Sequence, residues 1–346
     1  MLARVSRVYL FLLCLLGLVS ITVAAQSTKP VTSSVLAQAQ LALDQGDNAT
    51  AVTLLETLAA HRPDQPGVEH ALGLACYRTG RLEQARIAFR HALEVNRNDI
   101  DSAQLLGLTL FRMGQPKAAI PYLERAKQWM PSANADASHV LGLCYLDSQQ
   151  WIKARDAFAD EYGLRPDSAA AYLVFAHMLV LSHLPQQGAV EAQKALLLEP
   201  HLPMAHLLIG EVDLFDSQVN QAIPEFEAEL AINPTYAPVY ARLGSAYFRL
   251  GRYDRAEQEL LKSLALDTSN TGPFILLGQV LLRKHDPVTA LLYLRHAEAM
   301  DPSSFMDHWL LGQAYQRIGN DKAAKEEFTL ASKIQNQSRI HLGPSE

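Results

Sequence analysis

Apolar positions between residues 32 and 338 fall in paired helical stripes, with no alternating strand-like runs. In the segment 237–270, Tyr240, Leu243, Gly244 and Tyr247 take the i, i+3, i+4, i+7 places of one helix face. After Gly251 a second stripe follows at Tyr253, Ala256, Leu260, Leu261 and Leu264. The spacing predicts two antiparallel helices joined by a short turn, with Gly251 supplying the permissive backbone at the exit of the first. The pair then repeats. A small residue stands at Ala51, Ala85, Ala119, Ala154, Gly188, Ala222, Ala256, Ala290 and Ala324, every 34 residues with a single step of 35. A second small residue stands 12 positions before each, at Ala39, Gly73, Gly107, Gly142, Ala176, Gly210, Gly244, Gly278 and Gly312. Four positions after the first series comes Leu55, Phe89, Leu123, Phe158, Ala192, Phe226, Leu260, Leu294 or Phe328.

A period of this length predicts stacked helical hairpins that share one elongated core. Glycine inside a helix costs about 1 kcal/mol against alanine, so its recurrence at one register of the first helix requires a packing reason. Close approach of two helix axes supplies one. Pro121 and Pro224 share a register early in second helices, where a first turn tolerates proline. Units five and six depart most: Ala176 replaces glycine, His183 and Ser217 replace the turn glycine, and Asp213 takes an apolar position.

The pattern resembles the tetratricopeptide repeat, best matched by Leu72, Gly73, Ala85, Phe89 and Ala92, by Tyr240, Leu243, Gly244, Tyr247 and Ala256, and by Leu311, Gly312, Tyr315, Ala324, Phe328 and Ala331. The resemblance implies an all-α, right-handed α-solenoid of about nine helix-turn-helix repeats over residues 32–338, with first helices lining its concave wall. It also implies a protein or peptide partner. The family's clamp for C-terminal carboxylates needs paired Asn and Lys, which are not found here. A polar tail follows at 339–346, and the chain from Asn336 onward is expected to lack regular structure.

The first 25 residues are of another kind. Arg4 and Arg7 precede an apolar stretch from Val8 to Val19, and Val23-Ala24-Ala25 closes it. This reads as a secretory signal cut after Ala25, or as an anchor through residues 8–25, with a short linker at 26–31. Either version places the repeats outside the cytoplasm, in a periplasm or extracellular space. Removing residues 1–25 takes away two arginines and no acid, so the net charge of −6 becomes −8. That balance argues against nucleic acid as partner. Cys76 and Cys144 lie two units apart, too far for a disulfide, and read as small core residues.

No catalytic motif, cofactor motif or metal-ligand spacing is found; His183, His201 and His206 do not share a helix face. An adaptor without enzyme activity is therefore expected, its binding surface on the first helices. Five positions after the small residue stand Arg78, Arg112, Arg249, Arg283 and Arg317, with Asp147, Leu181 and Phe215 between them. Gln279, Gln313, Trp309 and His177 occupy neighbouring wall positions. Arginine's planar fork suits carboxylates, which points to a carboxylate-rich partner; the same register also suits capping of helix C-terminal carbonyls. His177 and Glu211 sit at equivalent places in adjacent units and form a candidate pair. The expected role is a scaffold for a cell-envelope or secreted complex. The alternatives are a self-assembling solenoid and an accessory subunit of an envelope polysaccharide or secretion enzyme.

Overall fold

The computed structural model describes residues 35–341 apart from 63 and 130–134. The expected signal at 1–25, the linker at 26–31 and the last residues of the tail lie outside the described residues. Eighteen helices, paired into nine units, make up the described chain. The first five units are α1 Val35–Asp44 with α2 Asn48–His61, α3 Val68–Arg78 with α4 Leu82–Val95, α5 Ile100–Arg112 with α6 Pro116–Trp129, α7 Ala135–Asp147 with α8 Trp151–Glu161, and α9 Ala169–Leu181 with α10 Pro185–Leu198. The last four are α11 Ala205–Phe215 with α12 Val219–Ile232, α13 Ala237–Arg249 with α14 Tyr253–Leu266, α15 Thr271–Arg283 with α16 Pro287–Met300, and α17 Phe305–Arg317 with α18 Asp321–His341. Among the described residues no helix is long and apolar enough to cross a membrane.

Local chemistry sets the boundaries. Asp47, Asp99, Ser168, Asn270, Asp286 and Ser304 each cap a helix by accepting a backbone N–H through the side chain. Every turn inside a unit passes through one residue of positive φ. Glycine fills it at 46, 80, 114, 251 and 319, whereas Gln149, His183, Ser217 and His285 accept the left-handed backbone at the other four. Pro121 and Pro224 are not in first turns, as their spacing suggested, but in the sixth positions of α6 and α12. Both are exposed, so water can serve the carbonyl that loses its helical donor. Helix α18 also runs on through 336–341, so the tail beyond Asn336 begins helical.

The structure gives the interior glycines a more specific reason than axis distance. A Cβ on Gly73 would sit 2.6 Å from the Phe89 ring, and one on Gly244 would sit 2.6 Å from Leu260 Cγ. Each glycine therefore receives the large side chain of its partner helix. Unit five inverts the arrangement. Ala176 faces a unit whose large residue has become Ala192, and the glycine moves to Gly188 on the second helix, where a Cβ would lie 2.8 Å from the Ala176 carbonyl oxygen.

First helices of successive units pack against one another, whereas second helices do not, so the first helices crowd the inside of the curve. At α7/α9 and α9/α11 the first-helix backbones come less close, although Ala176 still shares a core cluster with Leu208, Ile209 and Val212. The core follows the same division. One continuous cluster runs from Ala39 to Leu179, another spans Ala256 to Ala314, and small separate clusters occupy the middle.

Candidate interaction wall

The arginine register forms a ladder of inter-unit ties. Arg78 Nη1 donates to the Leu43 carbonyl at 3.0 Å, Arg112 Nη1 to Tyr77 at 3.3 Å, and Arg249 Nη1 to Leu214 at 2.5 Å. Arg317 makes the same bond to Leu282. Each acceptor is a last-turn carbonyl of the preceding first helix that also accepts the N–H of the positive-φ turn residue three positions on, so the arginine takes its second lone pair. Arg112 also covers the Tyr77 ring, 4.7 Å from its centroid. Arg283 is exposed and has no carbonyl bond of this kind. All five guanidinium-bearing residues are exposed, so a tied arginine still offers donors in a fixed orientation.

The ladder is interrupted in units four to six, where Asp147, Leu181 and Phe215 hold its register. Leu181 is 65% exposed and Phe215 74% exposed, on adjacent first helices. His177 is exposed beside them. Glu211 does not pair with His177 as expected; it accepts from Arg242 Nε at 2.7 Å. Arg242 lies one unit further on, at a register that the sequence reading passed over. Trp309 is exposed, while Gln279 and Gln313 are half-buried, and the Gln313 amide nitrogen is buried without a hydrogen-bond partner. The predicted residues thus share one wall, but they form two polar stretches around an apolar middle and do not converge on a point.

Asp213, on the same helix as Phe215, is held above the usual carboxylate range, first by burial and then by the charges of Glu225 and Asp216. Cys76 and Cys144 are free and buried, and burial pushes the Cys144 thiol up to about 12, a range without thiolate chemistry at neutral pH. His70, Ser102 and Asp99 assemble in a way that does not activate a nucleophile. Ser102 Oγ accepts from His70 Nδ1 at 2.8 Å and donates to Asp99 Oδ2 at 2.6 Å, and the serine is fully buried. On the otherwise polar helix α18, Glu327 is buried: it is 7% exposed, against His308 and Arg295.

Comparison with known proteins agrees with the architecture. Tetratricopeptide repeat models match residues 36–103 and 105–169, 216–271, and 308–338. Anaphase-promoting complex subunit 3 of Schizosaccharomyces pombe is 20% identical over 81% of this chain, and BBSome complex member BBS4 of Bos taurus is 22% identical over 61%. The chain spans only 42% and 34% of those two proteins. Among solved structures, MamA aligns at 20% identity over 48% of this chain and 96% of its own, with a TM-score of 0.45. PilW, described as a type IV pilus biogenesis factor, aligns at 20% identity over 62% and 99%, with a TM-score of 0.43. Nine hairpins in one register, seven of them built around a first-helix glycine that receives its partner's side chain, meet family models over more than half of the length: the chain belongs to the tetratricopeptide repeat family.

Proposed function

We propose that this scaffold for protein–protein contact holds an extended or helical segment of a partner protein along its first-helix wall. The apolar side chains of that segment rest on Leu181 and Phe215. The observation that carries the reading is the exposure of those two large side chains on neighbouring helices, at the register where flanking units place arginine. Arg112 lies on one side and Arg249 on the other, so carboxylates at both ends of the segment complete the fit. A strand covering four units, at about 3.3 Å per residue, engages roughly a dozen residues across about 40 Å. Each unit presents its contacts on a preformed helix, which limits the ordering cost to the ligand and to the joints between units. Residues 1–25 are proposed to export the chain, on the strength of Arg4, Arg7 and the apolar run that follows. In the cell envelope or outside it, the repeats then act as an adaptor without catalysis of their own.

A photo-crosslinking residue placed at Phe215, at Leu181 or at Ile152 tests the wall in the native host. Ile152 is 70% exposed on a second helix and serves as the control. One shared product from 181 and 215, absent from 152 and lost when Arg112 and Arg249 become Glu, is the expected result. Equal labelling from all three positions removes the proposal. The N-terminal sequence of the purified protein checks export separately, with Gln26 expected as the first residue.

A further inference from the structure

We propose that Glu298, His308 and Glu327 form a binding site for one divalent transition-metal cation of the Zn2+ type, which staples the last unit to the eighth. The three residues come from α16, α17 and α18, and one ligand atom from each lies within 4.8 Å of the others. Tetrahedral ligands at about 2.1 Å from a Zn2+ lie about 3.4 Å apart, so side-chain rotations that close the widest pair by up to about 1.4 Å complete the site. An imidazole with two carboxylates suits such a cation better than Mg2+ or Ca2+, which prefer oxygen alone.

The surrounding groups are arranged as supports. His308 Nε2 donates to the Pro302 carbonyl at 3.0 Å, which turns Nδ1 toward Glu327 Oε2, 2.7 Å away. Arg295 binds Glu298 Oε2 through Nη1 at 2.8 Å and Glu327 Oε1 through Nη2 at 3.3 Å. It thereby holds both carboxylates by one oxygen and leaves the other to a metal. Metal-bound histidines and carboxylates are ordinarily steadied in this manner. His308 is 4% exposed and Glu327 7%, whereas Glu298 is half-exposed and gives the ion its path from solvent.

A buried acid without a partner stands beside the set. Asp307, next to His308, is fully buried, and neither of its carboxylate oxygens has a hydrogen-bond partner.

The molecule also contains its own control. His206 and Glu225 in unit six repeat the His308–Glu327 pairing at the same register, again at 2.7 Å. In the unit before them, Leu196 and Gln193 stand where the eighth unit has Glu298 and Arg295. That pair is a plain hydrogen bond with no third ligand. Nineteen residues separate His308 from Glu327, and Glu298 belongs to another unit, so no local spacing announces the set.

The test is titration of the chelator-stripped full chain with Zn2+ against a chromophoric chelator. One tight equivalent is expected. E298Q, E327Q and H308Q should each weaken it by at least about tenfold, and H206Q should leave it unchanged. Zn2+ should also slow amide exchange in α17 and α18. E298Q changes a partly exposed side chain and decides the matter even where H308Q fails to fold. No stoichiometric uptake, uptake that E298Q leaves intact, or uptake lost in H206Q overturns the assignment.

Discussion

Replacing Gly73 by Ala sets two effects of known size against each other. In the interior of α3, alanine is favoured over glycine by about 1 kcal/mol. The added methyl, however, would lie 2.6 Å from Phe89 Cδ1 and Cε1 and 2.9 Å from Cζ. Ordinary contact needs about 1 Å more. Phe89 is fully buried and its ring has His70 on its edge, with centroids 6.1 Å apart, so it has little room to retreat. Overpacking of this kind costs about 1–3 kcal/mol, and three ring atoms in simultaneous conflict put it near the top of that range. Gly73→Ala should therefore destabilise by about 2 kcal/mol net. Phe89→Ala alone should cost about 4 kcal/mol through the cavity it leaves. In the double variant the conflict is gone and the helix gain returns, so it should be about 1 kcal/mol better than Phe89→Ala, a coupling near 3 kcal/mol. Unit five, with Ala176 and Ala192, already carries the double arrangement. Urea denaturation followed by far-ultraviolet circular dichroism gives the cycle, and hydrogen exchange in α3 and α4 localises it, since repeat arrays unfold in parts. If Gly73→Ala stabilises the protein, or the cycle is additive, the receptor role assigned to these glycines is wrong.

Three other substitutions probe separate features. Arg249→Leu removes the tie to the Leu214 carbonyl and should cost about 1 kcal/mol in thermal denaturation, whereas Arg283→Leu, which breaks no such bond, should stay within about 0.5 kcal/mol. Asp213→Leu restores an apolar side chain at a register where Leu110, Leu179 and Leu281 are buried. The folded-state pKa of Asp213 lies above its unfolded value of 3.8, so ionisation penalises the native state at neutral pH and the penalty fades as pH falls toward 3.8. The variant should thus melt higher than wild type at pH 7, with the gap shrinking at pH 4; a gap that grows on acidification contradicts the assignment. His285→Gly relieves a left-handed backbone at φ 61°. The gain of about 1–2 kcal/mol, less roughly 0.5–1 for glycine's freedom in the unfolded chain, should raise the melting temperature.

The repeat was legible because one register is enforced nine times by the same packing event. Ala85 with Phe89 and Ala256 with Leu260 announce it without any long-range knowledge, and the expected hairpins are observed. Proline positions were read too generously. Pro121 and Pro224 lie past the first turn because the exposed side of a second helix forgives a missing donor, and exposure is invisible in a single string of letters. The burial of Glu327 escaped for a related reason. Its partners His308 and Arg295 lie on two other helices, and α18 taken by itself is polar. The wall residues were identified by register, but register gives their side and not their bonds. It did not decide between carbonyl capping and ligand contact for Arg78 or Arg249, and the geometry shows that one guanidinium can do the first while keeping donors for the second.

The middle of the solenoid is where these strands of evidence meet. Arginine ties are absent where Asp147, Leu181 and Phe215 hold the register, first-helix backbones come less close at α7/α9 and α9/α11, and the core divides into small clusters. Three of the four non-glycine turns, at Gln149, His183 and Ser217, fall in the same units. Each loss on its own is minor. Together they concentrate the weakest inter-unit contacts beside the most exposed apolar side chains of the wall. In an array whose stability is a sum of neighbouring interfaces, weak interfaces at one place let the curve adjust there without unfolding elsewhere. A segment seated on Leu181 and Phe215 as proposed would add contacts between α9 and α11 and stand in for the missing ties. Binding should therefore tighten the middle units more than the ends, so protection from hydrogen exchange gained on partner binding should centre on α9 and α11. Protection spread evenly over all nine units would mean that the looser backbone packing and the apolar patch coincide without mechanical consequence.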